Sequence, residues 1–391
     1  MGAKSTTRNE QHRLRMKGRR ESPIFLGDGS SKHYDSFPRK IARFRCSEWG
    51  YDQMSSRKSA KETGGVITVL TELDIAILKD LYDYRVLTHQ QIKKVHFPNS
   101  SYSHKKIHLL REAGYLKTKP FLVKGQKRGA MYFISDDGIN ALLEEGVIDH
   151  PRKAQDNRPE NRQLPLLVEI HKLYEELTLY GWKFIESRDI KRHYQMNRNA
   201  YIMGGLRSKD GRMYGVYLLE ESPHDSTFRT IMTEIKNSVL DRVFIFSKGQ
   251  DAFERMKEEL ADPIAQEVNV CSWKFTPDTL KFLRDDSNYQ RLFGHFGEVK
   301  TIPNKNNFGD YVLTVNGEEK YVMNYLMGDM SAKYFLGRYA RERAGIEKRK
   351  VMVFAWSYQI DTELKPEFEG NPWVEFVPLT KEAVKSIVEK G

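Results

Sequence analysis

Two groups of residues in this chain combine types and spacings that can do chemistry. The first is Ser222-Pro223-His224-Asp225 followed by Glu234-Ile235-Lys236. It loosely matches the PD-(D/E)xK pattern, in which an Asp and a Glu hold Mg²⁺ and a Lys stabilises the attacked phosphate. A second set pairs Asp210 with Glu220, but Ser222 stands where that pattern needs a lysine. Apolar residues around Glu234 recur at helical intervals, and on a helix Glu234 and Lys236 point apart. The expectation is a nuclease-like shape with an incomplete site. Mg²⁺ enters only if a degenerate site cleaves DNA; otherwise no cofactor is expected.

The second group lies in LTHQQIKKVHFPNSSYSHKKIHLLREAGYLKTK, residues 87–119. With Ile107 and Leu110 marking the inner face of a helix, Ser101, His104, Lys105, His108 and Arg111 point outward, and Ser103 joins them at its start. Such a face suits the major groove, where Lys and Arg pair with guanine edges and Ser and His bond to bases or phosphates. Thr88, Gln90, Lys93 and Lys94 would touch the phosphate backbone. The basic turn with Lys124, Lys127 and Arg128 suits an adjacent minor groove or its phosphates. His104 and His108 are spaced i, i+4, but no neighbouring Cys, Asp or Glu completes a metal site, so none is expected.

The elements that must position these residues follow from caps and periodicity. Thr71 caps a helix whose apolar stripe is Leu73, Ile77, Leu81 and Tyr84. Thr88 and Gln91 form a capping box for a second, short helix that inward-facing Ile92 and Val95 hold and Pro98 ends. A third helix runs to Ala113, with Gly114 as its C-cap. YLKTKPFLV and AMYFIS read as a β-hairpin, and DDGINALLEEG as a closing helix. Helix, short helix, helix and hairpin is the order of a winged helix-turn-helix over residues 66–150. Residues 151–165, polar and Pro-bearing, read as a linker.

Residues 166–391 read as α/β, with a boundary near 290. RVFIFS and KVMVFAW are buried-type strands, and DSTFRTIMTEIKNSV is a helix with Phe228, Ile231, Ile235 and Val239 on one face. Glu221 and Ile245 are 24 residues apart, as are Asp329 and Val353, within matching strand–helix–strand plans. The fold expected is therefore α+β and α/β: an N-terminal winged helix and a nuclease-like α/β body that the spacing suggests is duplicated.

Charge separates these parts. Residues 1–65 hold 15 Lys/Arg against 7 Asp/Glu, and residues 66–135 hold 12 against 5. With +11 overall, their +8 and +7 leave −4 for residues 136–391. This is the distribution of a basic flexible arm and a DNA-binding domain on a near-neutral body. Two cysteines, Cys46 and Cys271, point to a reducing compartment without a disulfide framework. No apolar run long enough for a membrane span and no secretory leader is evident, so a cytoplasmic location is expected. No G-x-x-x-x-G-K-[ST] motif occurs, which argues against a P-loop ATPase, and no His-x-His pair supports a rolling-circle nickase.

LTELDIAILKDLYDYRVLTHQQIKKVHF, HKKIHLLREAGYLKTK and MYFISDDGINALL resemble the opening of the replication-relaxation family of bacterial plasmids and mobile elements. LVEIHKLYEELTLYGWKFIES is similar to that family's next segment. The likeness runs over residues 68–250 and is most specific in 71–145. It implies a winged-helix domain, a nuclease-like α/β domain, and work in plasmid replication initiation or mobilisation. Lys209-Asp210 replaces the Pro-Asp often seen in the family, and the strand after it ends in Glu220-Glu221-Ser222. The leading expectation is a sequence-specific double-stranded-DNA-binding protein at a plasmid or phage origin, whose body dimerises or recruits replication or transfer machinery. A Mg²⁺-dependent nickase and a winged-helix transcriptional regulator are the alternatives.

Overall fold

The structure is a computed structural model that describes residues 69–390 apart from 124–125, 160–162, 261, 284 and 303–307. The arm at 1–65, Cys46 and Lys124 lie outside the described residues.

Helix α1 (Glu72–Tyr84) starts where the cap chemistry requires. The Thr71 hydroxyl accepts from the Asp74 N–H, and the Asp74 carboxylate accepts from the Thr71 N–H at 2.8 Å. Its buried face is Asp74, Ile77, Leu78, Leu81 and Tyr82. Leu73 is only half-buried, so the face is rotated from the predicted stripe. The two-residue strand β1 (Leu87–Thr88) leads into α2 (His89–His96), capped by Thr88 and Gln91. Helix α3 (Ser103–Glu112) ends at Gly114, whose φ of 86° is left-handed and whose N–H returns to the Arg111 carbonyl. Strands β2 (Leu116–Val123) and β3 (Gln126–Ile134) form an antiparallel hairpin, Leu116 opposite Ile134. β1 pairs with the other edge of β3, giving a sheet of order β1-β3-β2, and α4 (Asp136–Glu144) packs against α1.

The rest is built on two five-stranded sheets. The first contains β4 (Lys183–Glu186), β5 (Gly204–Arg207), β6 (Met213–Leu219), β7 (Arg242–Ser247) and β8 (Glu267–Ser272), in that spatial order. β4, β5 and β6 are antiparallel, and β7 and β8 then run parallel to β6. Around it lie α5 (Ala154–Asn157), α6 (Leu164–Leu177), α7 (Ser187–His193), α8 (Asp225–Asn237), α9 (Gln250–Glu259) and α10 (Thr276–Phe282). The second contains β9 (Glu298–Thr301), β10 (Tyr311–Val315), β11 (Glu318–Asn324), β12 (Val351–Trp356) and β13 (Val374–Leu379). It repeats the pattern: three antiparallel strands, then two parallel ones. Its helices are α11 (Asp286–Gly294), α12 (Met330–Glu342), α13 (Ala344–Glu347), α14 (Ser357–Gln359), α15 (Lys365–Phe368) and α16 (Lys381–Lys390), with a π turn at Ile360–Leu364. Each sheet is thus preceded by a helix (α6, α11), crosses β6–β7 or β11–β12 through a 13-residue helix (α8, α12), and is followed by a helix (α10, α16).

Side chains alternate along the central strands. Val216, Leu218, Phe244 and Phe246 share one core with Val322, Met352 and Phe354 of the second sheet. Tyr217, Leu219, Val243 and Ile245 face α8 and α9, while Met323, Val351 and Val353 face α12. Burial on both faces explains the unbroken apolar runs of β7 and β12. Val239, expected on the inner face of α8, is 71% exposed. The helix stops at Asn237, and extended Ser238 turns the chain outward.

The described part of the segment expected to be a linker is anchored to the neighbouring structure. Ala154 and Asn157 are buried, and Asn157 Nδ2 donates to the Tyr82 carbonyl at 3.0 Å. Val86, Met131 and Phe133 of the three-helix unit belong to the same core as Leu167, Leu173 and Trp182 of the body. Arg85 pairs with Glu186 across this seam at 3.3 Å, both side chains buried, and Gln91 Nε2 donates to the Val168 carbonyl at 3.0 Å. No helix among the described residues is long and apolar enough to cross a membrane.

Candidate nucleic-acid interface

Helix α3 is held from below by Ile107 and Leu110, both almost fully buried, and from the side by Lys106. The Lys106 ammonium lies 2.8 Å from the Asp74 carboxylate, which is inaccessible to solvent. That pair ties α3 to the first turn of α1. Ser101, His104, Lys105, His108 and Arg111 are then left exposed on one side, as the periodicity predicts. The Lys105 ammonium lies 5.8 Å from the ring centre of Tyr102, which is itself exposed.

The predicted set is not uniform. Ser103 is fully buried, and its hydroxyl is 3.3 Å from His89 Nε2, so it faces α2 and not solvent. At the start of a helix, one residue's shift in phase turns a side chain inward. The Thr88 hydroxyl is used in the α2 cap. Gln90 and Lys93 are exposed, whereas Lys94 reaches Glu175 of α6 at 3.4 Å. Arg111 donates to His108 Nδ1 at 2.9 Å and pairs with Glu112 at 2.8 Å. Lys127 and Arg128 are exposed at the hairpin end.

His89, absent from the predicted set, stacks on His104 with ring centres 3.7 Å apart. Burial, then the proximity of His104 and Lys93, lowers its pKa below that of an ordinary imidazole. The signal was available: His89 directly follows the Thr88 cap, so it opens α2 beside the start of α3. Stacking of His104 on His89 and the contact of His108 with Arg111 place the two predicted i, i+4 histidines in separate interactions.

The five predicted catalytic candidates stand apart. Asp210 lies in the β5–β6 turn, bonded to Ser208, to Arg212 at 2.7 Å and to the Asp286 N–H at 3.1 Å. Glu220 follows the far end of β6, roughly 20 Å or more away at the rise of a strand, and pairs with Lys248 at 3.2 Å. Asp225 begins α8 and is held by Arg255 at 2.6 Å; that hydrogen bond lowers its pKa. The Glu234 carboxylate, raised in pKa by burial, accepts from the Tyr201 N–H at 2.7 and 2.9 Å. Lys236 is exposed two residues further along α8. Among the described residues no three His, Cys, Asp or Glu side chains gather as metal ligands.

The described chain is thus a mixed α/β protein, in which the N-terminal unit of α1–α4 and the hairpin packs on α6 and the edge of the first of two sheets of like connectivity. Residues 78–196 match the model of the replication-relaxation family, which bears out the resemblance over the three-helix unit and the start of the first sheet. No curated protein and no solved structure gives a match.

Proposed function

We propose that this protein binds double-stranded DNA sequence-specifically at a plasmid or phage origin and acts in replication initiation or mobilisation. On this reading residues 66–150 are a winged helix-turn-helix, α3 reads base edges in the major groove, and the hairpin and the basic arm add phosphate contacts. The observation that carries it is the solvent face of α3, where His104, Lys105 and His108 stand together on a helix fixed from beneath. The family match over residues 78–196 supports the role in replication or mobilisation. The reading calls for no cofactor. The nickase alternative lacks comparable support, because its five residues are dispersed.

The test is selection of the preferred duplex from a random pool, followed by competition binding. Replacing His104, Lys105 and His108 together with Ala should cut the preference for that duplex over scrambled DNA at least tenfold, since each good base contact discriminates by about 1–3 kcal/mol. Fold would be checked by circular dichroism. A variant that binds all duplexes more weakly but keeps the same preference overturns the assignment of α3 as the reader.

A further inference from the structure

The body is net negative, yet short stretches of it are positive. Residues 187–201 contain Arg188, Lys191, Arg192 and Arg198 against Asp189 alone, a net of +3. The first three lie on α7. Beyond α7 the chain doubles back and is tied at two points: Lys191 Nζ donates to the Arg198 carbonyl at 3.3 Å, and Glu234 takes the Tyr201 N–H. Arg198 is exposed at this loop. Arg152 joins from the segment before α5. It pairs with Asp189 at 2.9 Å and lies 5.8 Å from the ring centre of Tyr82 in α1.

The acids in this patch are already engaged. Glu186 pairs with buried Arg85 and accepts the Arg188 N–H at 2.8 Å. Asp189 is shared between Arg152 and Arg192. Among the described residues neither Arg188 nor Arg198 has a carboxylate within ion-pairing distance. Burial, then the nearby positive charges of Arg85, Arg152 and Arg198, lower the half-buried Arg188 to about 10. This tied loop and helix therefore hold several cations together against their own repulsion, and neither Arg188 nor Arg198 has an ion-pair partner among the described residues, although Glu186 lies near Arg188. An anion with several oxygens relieves that repulsion and accepts from both.

We propose that Arg188 and Arg198, with Arg152 and Arg192 beside them, grip the phosphodiester backbone of double-stranded DNA at a point separate from α3. This rests on the DNA-binding reading above. Helix α1 connects the two places: Lys106 of α3 binds Asp74 in its first turn, and Arg85 just past its end binds Glu186. Eleven residues at 1.5 Å each make about 16 Å, or about five base-pair steps. A duplex on α3 is long enough to reach the patch. Contact there adds affinity and orientation but no sequence preference.

The experiment uses the full chain and salt titrations of binding to two duplexes sharing one central sequence, about 8 and about 40 base pairs long, so that the short one ends about 14 Å from its centre and stops before the patch. On the long duplex, R188Q/R198Q should lower the log–log salt slope by about 1.8, and R198Q alone, an exposed position, by about 0.9. Neither should alter sequence preference, the slope on the short duplex or the melting temperature. An unchanged slope on the long duplex, or an equal loss on the short one, sinks the patch while leaving α3 untouched. If instead the α3 triple variant keeps its preference while R188Q/R198Q loses slope, the reading head is misassigned and the patch stands. Absence of salt-dependent binding in the unaltered chain removes both.

Discussion

At the scale of single residues, His171 has the most consequential surroundings. It is fully buried at the seam between α1 and α6, with Nδ1 donating to the Val86 carbonyl at 3.0 Å and Nε2 without a hydrogen-bond partner. Burial lowers its pKa from 6.5 to about 3. The unfolded chain therefore takes up a proton between those values that the folded chain refuses. Stability is fully present above about 6.5 and declines as the pH falls, by about 2 kcal/mol at pH 5 from this one group. Urea midpoints at pH 7.5 and 5 should separate less in H171Q than in the unaltered protein; an identical separation would clear His171 of this role. The sequence places His171 on an amphipathic helix and no further, because its acceptor lies 85 residues away. The same limit applied to Ser103 and His89. Periodicity names the outer face of α3, but which side chain at the α2–α3 junction turns inward depends on the facing helix.

At the scale of elements, caps were the readable part. Thr71, Thr88 and Gly114 set the starts and stop that the structure has, since their side-chain or backbone chemistry acts within a few residues. The phase of α1 was less readable. Asp74 completes the capping box and also turns inward to meet Lys106 from another helix, which drags Leu78 and Tyr82 into the buried face. Removing the lysine head strands a carboxylate in the core, so K106M should cost about 3–5 kcal/mol, and a double change with D74L should recover most of it. Thermal melts of the three proteins decide this; a K106M protein as stable as its parent would mean the pair contributes nothing. Strand β5 is not legible in the sequence for a different reason. Its Gly204 and Gly205 carry no strand propensity, yet a Cβ at either would sit within 2.6 Å of Phe184 or Ile190 atoms. Glycine is there because neighbouring side chains cover the backbone closely.

At the scale of the molecule, the seam decides how the parts behave. Val86, Met131 and Phe133 join a core that takes in α6 and both sheets, and Arg85, Gln91 and His171 bond across the seam with α6 and β4. The three-helix unit and the first sheet should accordingly open together. Hydrogen exchange under rising urea should release amides of α1 and β3 at the same concentration as those of β4 and β6; earlier release of the helical unit would show that the seam does not couple them. Residues 151–165 read as a linker, because polarity and Pro mark a surface loop but do not reveal that Asn157 is buried. The matched 24-residue spacings are the readable trace of two alike sheets, while the antiparallel strands of each are short and carry no shared pattern. Among the described residues the two sheets are alike but α3 has no counterpart. On the proposed function, one bound chain makes its base contacts without a mirror among those residues and lies on DNA with a polarity: an arrow marking which flank of the site is upstream.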